Sequence, residues 1–202
     1  MASNTILTFE EANLFCGKES TDNSVSLHLK LSEVKLPAMD ELFQEHRSTA
    51  APVALEVNTI FARLECSFTI VGMDPQVYTA IAPAFESGQW NEDLMWFDMY
   101  GVVRDQLSGE IIKGHAKFNG RLGGVDPQAW RRGDLFHTAC AIQGLRHYEL
   151  SLDEESLYFW NFFSNTLIVG GVNRTAGINN TLHIPTTTLG LTATASDFPI
   201  TT

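Results

Sequence analysis

The side chains best able to bind a metal or move a proton are six histidines: His28, His46, His115, His137, His147 and His183. None stands in a His-Glu-x-x-His pattern and no two are four residues apart, so no helix face would aim two imidazoles at one zinc ion. The three cysteines, Cys16, Cys66 and Cys140, are odd in number, far apart and without Cys or His neighbours at metal spacing. They are expected as buried, reduced thiols. Gly170-Gly171-Val172 is followed by neither a Lys-Ser/Thr pair nor a third glycine, which excludes a phosphate or dinucleotide loop. A Gly-x-Ser-x-Gly elbow is also missing from the chain. Glu149 and Asp153 could be paired carboxylates, but they fall on the polar side of a strand, where such groups are solvating charges rather than a convergent pair. The chain is therefore read as no enzyme, with no catalytic, cofactor or metal residues.

The elements that carry these residues are mostly strands. Glu110 to Asp153 reads as one long β-hairpin in which Ile112, Ala116, Phe118 and Leu122 alternate with Lys113, His115, Lys117, Asn119 and Arg121, the period of a strand with one wet face. Its corner is placed at Val125–Trp130. There Asp126 is expected to cap the following amides, Pro127 to fix the turn and Trp130 to be buried against the hairpin. The returning arm is nearly uncharged from Leu135 to Leu145, as in a strand covered on both faces.

Earlier in the chain, Ser24 to Leu36 is expected as one strand ended by Pro37, and Val53 to Val71 as another closed by Gly72. Between them Met39 to Arg47 could form two helical turns. Asp74-Pro75 is expected to open a helix with Val77, Tyr78, Ala80 and Ile81 on its apolar face. An aromatic strand runs from Leu94 to Val103, and a further aromatic stretch from Leu157 to Val169. This is a mainly β chain, a β-sandwich or partly open barrel with one flanking α-helix.

At 202 residues and 44% hydrophobic composition, residues 1–202 are expected to form a single domain, with a Thr-rich surface arm at 185–202. There is no apolar run of about 20 residues to span a membrane, and the first ten residues lack the pattern of a signal peptide. A net charge of −11, from 24 acidic against 13 Lys and Arg residues, opposes tight binding to a nucleic-acid backbone.

From Ala12 to about Leu182 the order of short motifs resembles the major tail tube protein of contractile-tailed bacteriophages, a group that includes R-type pyocin tubes. The motifs are Asn13-Leu14-Phe15, Val34-Lys35-Leu36-Pro37, Ala51-Pro52-Val53-Ala54-Leu55 and Leu64-Glu65-Cys66-Ser67-Phe68-Thr69 with Gly72. They continue with Val125-Asp126-Pro127-Gln128-Ala129-Trp130, Tyr148-Glu149-Leu150 and Gly171-Val172-Asn173-Arg174. The chain departs from the family at Ala50-Ala51, at Phe159 and Asn161, and in a longer stretch beyond Leu182.

The resemblance implies the phage tail tube fold and a structural subunit that forms hexameric rings, stacked into a hollow conduit for DNA during ejection. It implies as partners the chain itself, a tail sheath protein, a tape measure protein, and baseplate and tail terminator proteins. DNA would pass without specific binding, this chain would not insert into a membrane, and the particle would be a virion assembled in the host cytoplasm. Repeated around a ring, the −11 charge leads us to expect a negative lumen, with Glu33, Glu56 and Glu65 offset by Lys30 and Arg63. The loop at 38–52 would contact the adjacent ring through Leu42, Phe43, Glu45 and Arg47. The alternatives are the tube of a phage-tail-like bacteriocin that carries no DNA, and a carbohydrate-binding β-sandwich.

Overall fold

The computed structural model describes residues 5–47, 53–75, 77–78 and 94–185. The expected arm at 185–202, apart from Pro185, and most of the expected helix after Asp74 lie outside these residues. So do 48–52 of the 38–52 loop.

The long hairpin is the spine. It consists of β8 (Ile111–Pro127) and β9 (His137–Leu152), paired antiparallel over nearly their whole length. Its corner lies later than the expected Asp-Pro turn. Asp126 and Pro127 still pair with Ala139 and Thr138, and residues 128–136 make the turn. Pro127 is tolerated there because it sits at the strand's end, where a missing donor costs little. A β7 (Met95–Asp105) to β8 hairpin precedes it, closed at Gly109, whose φ of +76° only glycine adopts without strain. Asp105 braces that turn by accepting from the Leu107 amide at 2.9 Å and the Ser108 hydroxyl at 2.8 Å.

One large antiparallel sheet grows outward from this spine. On one side β1 (Leu7–Gly17) pairs with β7 and then with the short β2 (Val25–Ser26). On the other, β9 changes partner partway along. Residues 137–142 pair with β6 (Cys66–Val71), which carries β3 (Leu31–Lys35), whereas the later half pairs with β10 (Glu155–Asn161), followed by β11 (Thr166–Val169) and β12 (Val172–Asn173). The switch falls at Gly144, with φ +61°, opposite a register shift between Asn119 and Arg121 in β8. Such a bulge bends the strand and lets the sheet fork. The sheet is open, and the short helix α1 (Ala176–Thr181) follows its last strand.

The β3–β6 branch folds over the inner face of β1, β7, β8 and β9, and the core fills the space between. Phe68 faces Phe97 at 6.3 Å between ring centroids, and Phe97 stacks on Phe118 at 5.4 Å. Leu14, Leu27, Ile70, Val77, Ile142 and Tyr148 complete it, all essentially without solvent contact. The three cysteines are free and buried, as their spacing suggested. Burial pushes the Cys66 thiol up to about 12 and Cys140 to about 11, which keeps both protonated and unreactive.

Several expected elements differ in the structure. The strand expected over Ser24–Leu36 is broken by a turn in which the Lys30 and Leu31 amides both bond the Leu27 carbonyl. Leu29, in the middle of that expected strand, takes φ 68° and is 89% exposed. Met39 to Arg47 does not form helical turns. Glu41–His46 is β4, paired with β5 (Leu55–Phe61) in a separate two-stranded sheet. Glu, Leu and Gln favour helix locally, but pairing with a distant strand overrides such weak preferences. The strand expected over Val53–Val71 is accordingly split at Ala62–Glu65 between the two sheets. In the first half of β9, Thr138, Cys140 and Ile142 are buried, while Ala139 and Ala141 are only partly covered, so one face is closed rather than two.

Candidate assembly surface

The face of the main sheet opposite the core is a lattice of polar and aromatic side chains. Cross-strand register aligns them in rows over β1, β7, β8, β9 and β10. One row is Phe15, Asp98, Lys117, Glu149 and Phe159; the rows beside it are Gly17, Trp96, Asn119, His147, Asn161 and Asn13, Tyr100, His115, Ser151, Ser156. Directly opposed side chains on one face are the units that stabilise a sheet.

The polar groups of this face engage one another. His115 Nε2 lies 2.5 Å from Asp98 Oδ1, and the Tyr100 hydroxyl donates to Asp98 Oδ2 at 3.3 Å while its ring stacks on His115. Partial burial, together with the neighbouring Asp98 carboxylate, raises the Tyr100 hydroxyl above its usual range. His147 Nε2 is 2.8 Å from Glu149, its Nδ1 is 3.3 Å from the Asn161 amide, and its ring sits edge-on to Trp96 and Phe159. The Lys117 ammonium lies 5.6 Å from the Trp96 ring centre. These groups form a fixed pattern of charge and rings rather than a nucleophile with its base. Among the described residues no group of three or more His, Cys, Asp or Glu could hold a metal ion. No helix among them is long and apolar enough to cross a membrane.

The sequence reading did not single out this face as a site. Its signal in the sequence is the period of two in Trp96, Asp98 and Tyr100 along the aromatic strand.

The residues the sequence did nominate are dispersed. Glu33 lies on β3 and Glu56 on β5, while Arg63 and Glu65 form an exposed ion pair at 2.5 Å in the link between the two sheets. Lys30 Nζ reaches the buried Asp74 carboxylate at 2.5 Å, tying the turn before β3 to the start of the segment at Pro75. Leu42, Phe43 and Glu45 are exposed along β4, and Arg47 follows it, also exposed. Leu42 and Phe43, with Leu55 and Val57 of β5, give the β4–β5 hairpin exposed apolar surface. Asp126 is exposed at the end of β8. Trp130 is not buried as expected but 68% exposed, leaning on Phe136 at 5.2 Å in the turn at the spine's tip.

A cleft of about 920 Å³ lies where the sheet forks, walled by Phe61 and Leu64 on one side and by Leu145, Trp160, Phe162 and Ile178 on the other. α1 is fastened beside it by the buried Asn179, which donates to the Ser164 and Asn165 carbonyls.

Among the curated proteins, none matches this chain. Two solved structures share its general outline. One is described as the sheath/tube terminator of an extracellular contractile injection system, PVC, in the extended state: 9% identity, 70% of this chain and 91% of that chain covered, TM-score 0.43. The other comes from the 6-fold symmetrised baseplate of the anti-feeding prophage: 9% identity, 75% and 97% covered, TM-score 0.44. At these scores neither carries the assignment. The family model described as phage tail tube protein FII does, matching residues 19–182 and so running from the turn before β2 to the end of α1. The chain belongs to the phage tail tube protein FII family.

Proposed function

We propose that this chain builds the inner tube of a contractile injection particle, its subunits closing into hexameric rings that stack along one axis. The observation that carries the reading is the family match over residues 19–182. The fold agrees with it. Long strands with one apolar and one polar face suit a continuous wall, and the β4–β5 hairpin, with Leu42 and Phe43 exposed, suits a contact with the adjacent ring through Leu42, Phe43, Glu45 and Arg47.

In this reading the polar face of the long strands turns to the lumen, and Glu33, Glu56 and Glu65, offset by Lys30 and Arg63, add to its charge. A net charge of −11 repeated around each ring lets a polyanion pass without being held. A sheath protein would surround the tube, a tape measure protein would set its length, and baseplate and terminator proteins would close its ends. The particle would assemble in the host cytoplasm and act outside it. Passage of DNA is the finer reading; a headless bacteriocin-like particle would use the same tube without it.

Negative-stain microscopy of the purified chain over a concentration series tests the core of this. Rings at low concentration giving way to hollow filaments are expected. A particle that stays monomeric or dimeric throughout, and that binds oligosaccharides, would replace the tube by a carbohydrate-binding sandwich. Nucleic acid recovered from purified particles distinguishes the DNA-carrying tube from the headless one.

A further inference from the structure

Cross-strand register in the β4–β5 hairpin sets Glu45 directly against Glu56, and both are exposed. Like charges in directly opposed positions weaken a strand pair. The whole segment is acidic: residues 40–61 hold Asp40, Glu41, Glu45 and Glu56 against one arginine, Arg47. Among the described residues no cation pairs with Glu45 or Glu56. Phe43, two residues before Glu45 on the same strand, shares their face of the hairpin and is 57% exposed.

The end of the sheet that carries β10, β11, β12 and α1 has the opposite character. From Ser156 to Ile184 a single side chain bears a full charge, and it is positive: Arg174. Its amide bonds the Leu167 carbonyl of β11 at 2.7 Å, which anchors it at the junction of β12 and α1. Arg174 is exposed, and among the described residues no carboxylate pairs with its guanidinium. Close by on α1 and at its end, Ile178 and Leu182 are one helical turn apart and both exposed. An acidic hairpin with an open phenylalanine and a basic corner with open aliphatic side chains are complementary in charge and in character.

We propose that Glu45 and Glu56 of one copy receive Arg174 of a second copy, with Phe43 seated on the exposed Ile178 and Leu182 of that copy. This pairing rests on the tube reading and names the surface that the β4–β5 hairpin meets in the adjacent ring. One guanidinium presents five donors in a planar fork, enough to serve two carboxylates and relieve the repulsion between them. The two patches are different parts of the chain, so the contact is heterologous. Each copy offers its hairpin to one neighbour and its Arg174 corner to another, and such a contact propagates along an axis without closing, as a stack of rings requires.

Charge reversal in the full-length chain tests this, read as the protein concentration above which filaments sediment and are seen in negative stain. Arg174→Glu should raise that concentration at least about tenfold. Glu45→Lys with Glu56→Lys should do the same from the other side. All three positions are exposed, so melting of the isolated subunit should change little in either variant. A chain carrying all three substitutions should recover assembly, because the signs are exchanged on both surfaces at once. Filaments that form from Arg174→Glu as readily as from the unaltered chain, or a triple variant that assembles no better than Arg174→Glu alone, would overturn the pairing and leave the tube reading standing. An unaltered chain that forms neither rings nor filaments at any concentration would overturn the tube reading, and the pairing with it.

Discussion

Asn165 donates through Nδ2 to Oδ1 of Asn179 at 2.7 Å, and Asn179 returns its own amide to the Asn165 carbonyl at 3.0 Å and the Ser164 carbonyl at 3.2 Å. One fully buried side chain thus holds α1 against the β10–β11 turn with every polar atom used. It also occupies the Asn179-Asn180-Thr181 sequon, where it leaves no accessible amide for a glycan. Replacing Asn179 by Leu leaves two carbonyls and the Asn165 amide without their partner. A loss of about 1–3 kcal/mol is expected, since that is the cost of stranding a buried polar group. Chemical denaturation of the isolated subunit measures it, and a change below about 0.5 kcal/mol, the scale of ordinary surface substitutions, would remove Asn179 from this role.

The turn between β7 and β8 should weaken in acid. Hydrogen bonds from the Leu107 amide and the Ser108 hydroxyl hold the Asp105 carboxyl below its usual range. A carboxyl whose folded value is depressed adds stability that is present above its unfolded value, about 3.9, and is lost as pH falls through the folded value. Asp105→Asn should therefore lower the melting temperature more at pH 7 than at pH 2. Equal effects at both pH values would show that the turn does not depend on the charge.

Trp130 offers a clean separation of folding from assembly. Because it is largely exposed at the tip of the β8–β9 spine, Trp130→Ala should change subunit stability by no more than about 0.5 kcal/mol. Exposed tryptophans are favoured as anchors in interfaces, so the same substitution should reduce ring formation. Melting of the monomer and sedimentation of the assembled form are to be compared. Loss of several kcal/mol from the monomer would restore a core role for the ring.

The β4–β5 hairpin makes a parallel case. Leu42→Asp with Phe43→Asp alters two exposed side chains on a separate two-stranded sheet and should leave the subunit folded and monodisperse. If the hairpin joins successive rings, this variant should stop at single rings or subunits under the microscope. Filaments of normal length from the variant would show that the hairpin is dispensable for stacking.

How much of this was legible in the chain follows from the range of the forces involved. The β8–β9 spine could be read from Ile112, Ala116, Phe118 and Leu122 alternating with charged neighbours, because a strand's period is local and persists whatever it pairs with. The aromatic strand at Met95–Asp105 and the burial of three reduced cysteines were legible for the same reason. The ordered motifs from Ala12 to Leu182 also pointed to the tube family that the chain matches. Pairing partners could not be read in this way. Residues 41–46 looked helical until β5 claimed them, and nothing in Gly144 alone announces that β9 exchanges β6 for β10 at that point. Trp130 likewise looked like core because an indole usually is, yet the register of Asp126 and Pro127 with Ala139 and Thr138 carries it beyond the last covered position. The face joining Asp98, His115, His147 and Glu149 exists only in the assembled sheet. Its residues come from strands distant in the chain and meet through register, a property of pairs of strands that no single strand's sequence contains.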